Sequence, residues 1–231
     1  MESSCKILHA DSAIVLCVKP RGVLSQDAGV NSMPALLQSA LGTEEIYPVH
    51  RLDQAVGGVM VYARTAKAAA ALSSQIQSGS WEKTYLAVVE GVPDAPKGEL
   101  TDLLYHDQRR NKTYVVKRER RGVKEARLLY RVLRTEQGRS LVAVRLITGR
   151  THQIRVQFAS RGLPLVGDGR YGAFDRKTPL GLWCWKLSFD HPITGNRMDY
   201  VLLPPMQPPW ESFRRSLPKA EEKSIDIDIL S

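Results

Sequence analysis

Four consecutive residues, His50-Arg51-Leu52-Asp53, combine side chains that can act on a substrate. They are followed by Val56-Gly57-Gly58, where glycine allows a backbone or a ligand to approach closely. An arginine near a carboxylate favours the ionised form, so Asp53 could serve as a nucleophile or a base. A lone aspartate in a turn more often caps that turn, and the residues by themselves leave this second interpretation open.

A second polar cluster, Gly149-Arg150-Thr151-His152-Gln153-Ile154-Arg155, lies about a hundred residues further along the chain. If residues 151–160 form a helix, Arg155 shares a face with the polar residues, while Ile154 and Phe158 face the core. An amphipathic surface helix explains the same pattern. A third element, Lys83-Thr84-Tyr85, places Tyr85 at the start of a predicted strand, where its ring could stack on a substrate or simply fill the core.

Positive charge is concentrated in one part of the chain. Residues 109–124 carry eight basic side chains and one acid, which gives +7 of the formal net charge of +9. A dense charge of one sign favours a polyanionic partner, because neutralised phosphates release counterions. The other interpretation is a solvated basic hairpin without any partner.

Several classes of protein are excluded or disfavoured. No apolar run approaches the roughly 20 residues of a membrane helix, and the first residues do not resemble a secretory signal. Three widely spaced cysteines do not indicate a disulfide framework, so a cytoplasmic location is expected. The five histidines show no metal-ligand spacing, and no metal site is expected.

The pattern of apolar residues predicts an α+β domain rather than regular alternation of strands and helices. The expected helices cover residues 33–41, 66–78 and 152–160, with Thr65 as an N-cap and Gly42, Gly79 and Gly162 as stops. The expected strands cover residues 13–18, 58–63, 84–90, 114–116, 126–133, 141–147, 183–189 and 198–203.

Taken in order, these motifs resemble those of the RluA-type family of RNA pseudouridine synthases. The resemblance runs from about residue 14 to residue 203. It depends on five stretches: Val18-Lys19-Pro20-Arg21-Gly22, His50-Arg51-Leu52-Asp53, Lys83-Thr84-Tyr85, Gly149 to Arg155, and Gly167-Asp168-Gly169-Arg170-Tyr171-Gly172. One departure is Val56-Gly57-Gly58, where the family usually has Thr-Ser-Gly, and it puts local support of Asp53 and substrate preference in question.

The resemblance implies a role for individual residues. Asp53 matches the essential catalytic aspartate, and Arg155 matches the arginine that pairs with it and orients it. Tyr85 matches the tyrosine that stacks on the target base, and Arg51 matches a residue that fills the space left in RNA by the displaced uridine. Lys19-Pro20, Gly149 and the 167–172 stretch are expected to shape the site. Whether Asp53 attacks C1′ or removes the C2′ proton stays open.

The resemblance also implies the architecture and the partners. We expect a mixed, largely antiparallel central sheet with flanking helices and a central catalytic cleft. One catalytic domain over residues 1–210 is expected, without an N-terminal S4 domain, followed by a flexible tail over residues 211–231. The expected partner is ribosomal or transfer RNA, gripped by basic residues that include Arg118, Arg120 and Arg121. The isomerisation consumes nothing, so neither cofactor nor metal is expected, and the protein is expected to be a monomer.

Two alternatives remain from the sequence. A non-catalytic RNA-binding protein would keep the basic segment but tolerate the loss of Asp53. A glycosidase normally needs two carboxylates flanking the bond, whereas the second polar cluster is basic.

Overall fold

The computed structural model describes residues 5–26, 29–219, 225 and 227. The strands, in chain order, are β1 (Lys6–Ala10), β2 (Ile14–Lys19), β3 (Tyr47–Pro48), β4 (Gly57–Ala63), β5 (Glu82–Glu90), β6 (Lys97–Asp107), β7 (Lys112–Val116), β8 (Val123–Glu136), β9 (Arg139–Leu146), β10 (Leu182–Asp190) and β11 (Arg197–Val201). The helices are α1 (Met33–Leu41), α2 (Ala66–Ser78) and α3 (Gln153–Ala159). The α+β class and the largely antiparallel strand pairing are confirmed, and the central cleft stays a prediction.

The chain divides into two compact units. Unit 1 comprises Met1–Lys83 and Cys184–Leu202, and unit 2 comprises Thr84–Trp183 and Leu203–Ser231. The expectation of one catalytic domain over residues 1–210 stays a prediction.

Unit 1 is built on the strand order β1-β2-β4-β10, with β3 paired to β4 and β11 to β10. The β2 strand is an almost uninterrupted apolar run, and all seven residues of β4 are buried. Apolar side chains on both faces of a strand are typical of an interior position. The predicted late strand pair is confirmed, because Phe189 of β10 lies opposite Met198 of β11 in antiparallel register.

Both helices of unit 1 begin and end at the predicted residues. The Thr65 hydroxyl accepts a hydrogen bond from the Ala68 N–H at 3.1 Å, and the helix ends at Gly79 in the left-handed conformation. Ser32 caps α1 in the same manner, and Gly42 ends it. Short polar caps and a terminal glycine satisfy backbone groups that the helix itself cannot pair, which explains the accuracy of these boundaries.

Unit 2 has the antiparallel order β5-β9-β8-β6-β7. Sequence reasoning missed its β6 strand, which alternates charged and apolar residues only weakly. This strand is stabilised by pairing along both edges, with β7 and with β8.

The predicted tail begins with a short 3₁₀ turn over Glu211–Phe213. The side chains of Trp210 and Phe213 are fully buried in unit 2. Residues 220–224, 226 and 228–231 lie outside the described residues, so the flexibility of the tail stays a prediction.

Candidate active site

Asp53 lies in a tight turn immediately before β4. The Val56 N–H donates to the Asp53 carbonyl oxygen at 2.9 Å and closes the turn. The Asp53 side chain is partly buried, whereas its neighbour Arg51 is exposed. The structure therefore confirms the expected position of the His50–Asp53 stretch, on a turn that leads into a strand.

A fully buried lysine donates hydrogen bonds to the backbone of this turn. Lys19, the last residue of β2, donates from Nζ to three backbone carbonyls, those of Pro20 at 3.0 Å, Gln54 at 3.1 Å and Val56 at 2.7 Å. Burial lowers the pKa of Lys19 to about 8, and the Asp53 carboxylate acts in the opposite direction. Because the ammonium bonds to the chain on the C-terminal side of Asp53 at two places, the backbone after the carboxylate is fixed.

A serine fixes the backbone on the other side. The Ser25 Oγ accepts from the Leu52 N–H at 3.0 Å and donates to the Leu52 carbonyl oxygen at 2.6 Å. The Ser25 carbonyl oxygen in turn accepts from the Tyr62 hydroxyl at 2.7 Å. Asp53 is thus preceded and followed by backbone whose polar groups are bonded inside unit 1, and such bonding limits the directions in which its carboxylate can point.

His50 supports the start of the same turn and stays neutral. Its Nε2 atom accepts from the Val61 N–H at 3.1 Å, and its ring meets the Trp81 ring edge-on at 5.3 Å. Burial lowers the pKa of His50 to about 3, with a smaller effect from the Lys83 charge. The buried His50 imidazole therefore attaches the start of the Asp53 turn to β4, and it is not a proton donor near pH 7.

Close packing explains why the second residue of the Gly57-Gly58 pair is glycine. Gly58 has φ of 136°, and a Cβ atom there would lie 2.4 Å from the Cys184 carbonyl oxygen. No side chain fits at Gly58 without moving backbone. At Val56, where the family usually has threonine, the group that bonds Lys19 is the main-chain carbonyl.

Arg155 lies in unit 2, on α3, and has a buried partner that sequence reasoning did not assign. Its guanidinium donates to both carboxylate oxygens of Asp168, from Nε to Oδ2 at 2.6 Å and from Nη2 to Oδ1 at 2.8 Å. The two side chains are 8% and 1% exposed, and the guanidinium lies over the Tyr171 ring at 5.1 Å. Asp168 belongs to the glycine-rich 167–172 stretch, which was expected only to shape the site.

The segment around Asp168 is itself tightly constrained. The Asp168 N–H donates to the Leu165 carbonyl oxygen, and the Asp168 carbonyl oxygen accepts from the N–H groups of Tyr171 and Ala173. The Tyr171 hydroxyl accepts from the Thr113 N–H at 2.8 Å. The aspartate that holds Arg155 is therefore placed by backbone bonds.

The interpretation of residues 151–160 as an amphipathic surface helix is wrong. Helix α3 runs over Gln153–Ala159, and all residues from Gln153 to Phe158 are buried. His152 precedes the helix with a positive φ of 56°, so the helix is shorter than expected. A helix that is covered on every side keeps an arginine only when the charge is paired, as it is here by Asp168.

Tyr85 is a largely buried residue of β5. It lies opposite Val144 of β9, and 6% of its surface is exposed. Asp53 and Arg51 belong to unit 1, whereas Tyr85 and Arg155 belong to unit 2. The roles expected for these four side chains stay predictions.

The basic residues expected to grip RNA are exposed. Arg118, Arg120 and Arg121 lie together in the connection between β7 and β8, which we call the basic connection (residues 117–122). The Arg120 guanidinium lies over the Tyr105 ring at 4.6 Å. Arg170 ties the neighbouring β6–β7 turn to the 167–172 stretch through the carbonyls of Arg110 and Asn111.

Two kinds of feature are absent from the described part of the chain. Within it, no helix is long and apolar enough to cross a membrane. In the same residues, no group of three or more histidine, cysteine, aspartate or glutamate side chains is arranged to hold a metal ion. The expected absence of a cofactor, the monomeric state and the cytoplasmic location stay predictions.

Comparison with known proteins agrees with this arrangement. The chain is 34% identical to the ribosomal large subunit pseudouridine synthase D of Nitrosomonas europaea over 90% of its own length and 61% of the relative's. It is 33% identical to the protein of the same name from Pseudomonas aeruginosa, with 84% of this chain and 67% of the relative covered. The chain thus spans about three fifths of the length of the Nitrosomonas relative.

A solved structure shows the same fold. The human RNA pseudouridylate synthase domain containing 4 superposes with a TM-score of 0.72 at 24% identity, covering 87% of this chain and 88% of that one. Residues 13–160 match the sequence profile of the RNA pseudouridylate synthases, and they include Lys19, Asp53, Tyr85 and Arg155. Since this match covers well over half of the chain, the protein belongs to the RNA pseudouridylate synthase family.

Proposed function

We propose that this protein converts uridine in RNA to pseudouridine, with Asp53 as the nucleophile or base. The observation that carries the proposal is the bonded turn around Asp53, within the region that matches the family. The names of the relatives support large-subunit ribosomal RNA as the substrate class, and transfer RNA is the second candidate.

In the proposed reaction, the N1–C1′ bond of the uridine breaks, the uracil turns, and C5 bonds to C1′. The C5 proton leaves at the end, and N1 gains one, so nothing is consumed and no redox or group-transfer cofactor is required. The Asp53 carboxylate either attacks C1′ or removes the C2′ proton, and both routes need it ionised and aimed at the sugar. The carbonyl bonds from Lys19 support this role, because a fixed backbone sets the direction of the carboxylate before substrate arrives.

Arg155 and Tyr85 are assigned supporting roles. Arg155 orients Asp53, and its bidentate bond to Asp168 fixes the plane of the guanidinium. Tyr85 stacks on the uracil while the base is detached, which keeps it from escaping. The exposed Arg51 fills the gap left in the RNA when the target nucleotide is flipped out, a movement that costs a few kcal/mol.

The basic connection grips RNA backbone outside the pocket. Arg118, Arg120 and Arg121 are exposed, and exposed guanidinium groups can each neutralise a phosphate without losing an internal ion pair. These phosphate contacts supply affinity for RNA and carry no sequence information by themselves.

Pseudouridine-specific carbodiimide mapping tests the proposal. RNA is taken from cells that lack the gene, from cells that carry it, and from cells that carry Asp53→Asn. We expect one or more uridine positions in large-subunit ribosomal RNA to be modified only with the wild-type gene. Marks that persist with Asp53→Asn would contradict the catalytic role and favour a non-catalytic RNA-binding protein, and an unchanged RNA in all three would contradict the activity.

A further inference from the structure

Arg21 carries a buried guanidinium that has no hydrogen-bond partner among the residues that the structure describes. The residue follows Lys19-Pro20, and all three of its guanidinium nitrogens are shielded from solvent. Within the described residues, no hydrogen-bond acceptor or carboxylate pairs with them. The contrast with Lys19 is sharp, because that ammonium, two residues earlier, donates to three carbonyl oxygens.

An unpaired buried charge is costly. Burial lowers the pKa of Arg21, yet an arginine remains protonated near neutral pH. Withdrawing a guanidinium from water costs several kcal/mol unless an anion or several acceptors replace the water. Native structures satisfy nearly all buried polar groups, so an orphaned guanidinium indicates a missing anionic partner.

The turn that carries Arg21 is bonded directly to the Asp53 turn. The Gly22 N–H donates to the Gln54 carbonyl oxygen at 2.8 Å, and the Gln54 side-chain amide donates to the Gly22 carbonyl oxygen at 3.0 Å. These two bonds join the neighbour of Arg21 to the neighbour of Asp53. An anion held by Arg21 is therefore bound on a turn that is joined directly to the Asp53 turn.

We propose that Arg21 binds a phosphodiester of the RNA backbone next to the target nucleotide. This inference rests on the proposed function, because RNA supplies the anion. The planar fork of a guanidinium matches two oxygens of one phosphate, which fixes the strand in both position and orientation. The side chain as a whole is only partly buried, and binding requires its shielded guanidinium to turn outward onto the approaching strand. Arg21 is thus a binding and positioning residue.

The stability of a variant separates this role from a structural one. Arg21→Gln removes an unpaired buried charge and keeps a long polar side chain. We expect the Tm of the RNA-free protein to stay the same or rise, because none of the described residues loses a hydrogen-bond partner. A structural arginine would give a lower Tm on the same substitution.

RNA binding is measured by fluorescence anisotropy with a labelled, single-stranded, uridine-containing oligoribonucleotide at a series of KCl concentrations. We expect Arg21→Gln to weaken binding roughly tenfold at low salt and to reduce the slope of log K against log[KCl] by about 0.7, the value for one phosphate on a single strand. The control is Lys67→Gln, which removes the same charge from an exposed position on α2. It should leave the slope close to that of the wild type.

A second experiment locates the phosphate. Oligonucleotides with one methylphosphonate at a time are bound to wild type and to Arg21→Gln. We expect a methylphosphonate at one position to weaken RNA binding by wild type and to leave RNA binding by Arg21→Gln unchanged. Equal profiles for both proteins, an unchanged salt slope, or a lower Tm of Arg21→Gln would overturn the inference. If one methylphosphonate weakens binding only when Arg21 is present but wild type forms no pseudouridine, the phosphate site stands and the proposed function fails. If pseudouridine forms while the two binding profiles are equal, the proposed function stands and the phosphate site fails.

Discussion

The Asp53 turn is held in place by buried hydrogen bonds, whereas the basic connection is exposed to solvent. Around Asp53, buried groups of Lys19 and Ser25 bond the backbone on both sides of the carboxylate. In the basic connection, residues 117–121 are exposed, and the Arg120 guanidinium lies over the face of the Tyr105 ring. Chemistry needs a carboxylate that points in one direction, whereas gripping a charged strand needs cations that can adapt to it.

The largest effect is expected at Gly58. Gly58→Ala places a Cβ atom 2.4 Å from the Cys184 carbonyl oxygen in a backbone conformation that alanine rarely adopts. We expect the free energy of unfolding to fall by more than about 4 kcal/mol, as measured by urea denaturation. Gly42→Ala is the control, because Gly42 also has a positive φ, of 61°, but a Cβ atom there meets open space. Equal losses for the two variants would show that close packing behind the Asp53 turn is unimportant.

The next effect concerns the buried ion pair of unit 2. Asp168→Asn leaves the Arg155 guanidinium without its charged partner, and we expect a loss of about 3 kcal/mol in the free energy of unfolding. The control is Glu136→Gln, which breaks an exposed pair with Arg134 and should cost less than about 1 kcal/mol. If Asp168→Asn were as mild as the control, the pair would not be what holds Arg155.

A smaller effect is expected from pH at Lys19. Burial lowers its pKa to about 8, so a rising share of molecules loses the ammonium charge above that pH. A neutral amine has two hydrogens and cannot hold three carbonyl oxygens. We expect the initial rate of pseudouridine formation to decline as the pH rises past about 8, while RNA affinity changes less. A rate that stays level up to pH 9.5 would contradict a role for the charged lysine.

The smallest effect on the protein itself is expected in the basic connection. Replacing Arg118, Arg120 and Arg121 by glutamine should weaken RNA binding and flatten its salt slope by up to about two units, with little change in Tm. The matched control replaces Arg134, Lys177 and Arg214, which are exposed elsewhere in unit 2, and removes the same charge. The same slope for both triple variants would refute a specific role for the basic connection.

Local signals predicted the parts of the fold that depend on neighbours in sequence. The limits of α1 and α2 follow from caps and terminal glycines, which act within one helical turn. The β6 strand was missed because its charged residues have low strand propensity and its stability comes from pairing with β7 and β8.

The same limit applies to the site. The position of Asp53 on a turn could be predicted from the residues that follow it. The three acceptors of Lys19 are backbone carbonyls, which leave no trace in residue types. The pairing of Arg155 with Asp168 depends on a glycine-rich segment folding back on a helix, and the only available signal was one acid among glycines in that segment.

The most direct measurement compares purified wild type and Asp53→Asn on the same large-subunit ribosomal RNA, with pseudouridine yield and RNA affinity determined side by side. The substitution keeps the size of the side chain and removes the charge that the reaction needs. We predict at least about a thousandfold loss of product with RNA affinity within roughly threefold of wild type. Product at the wild-type rate from Asp53→Asn would contradict the account.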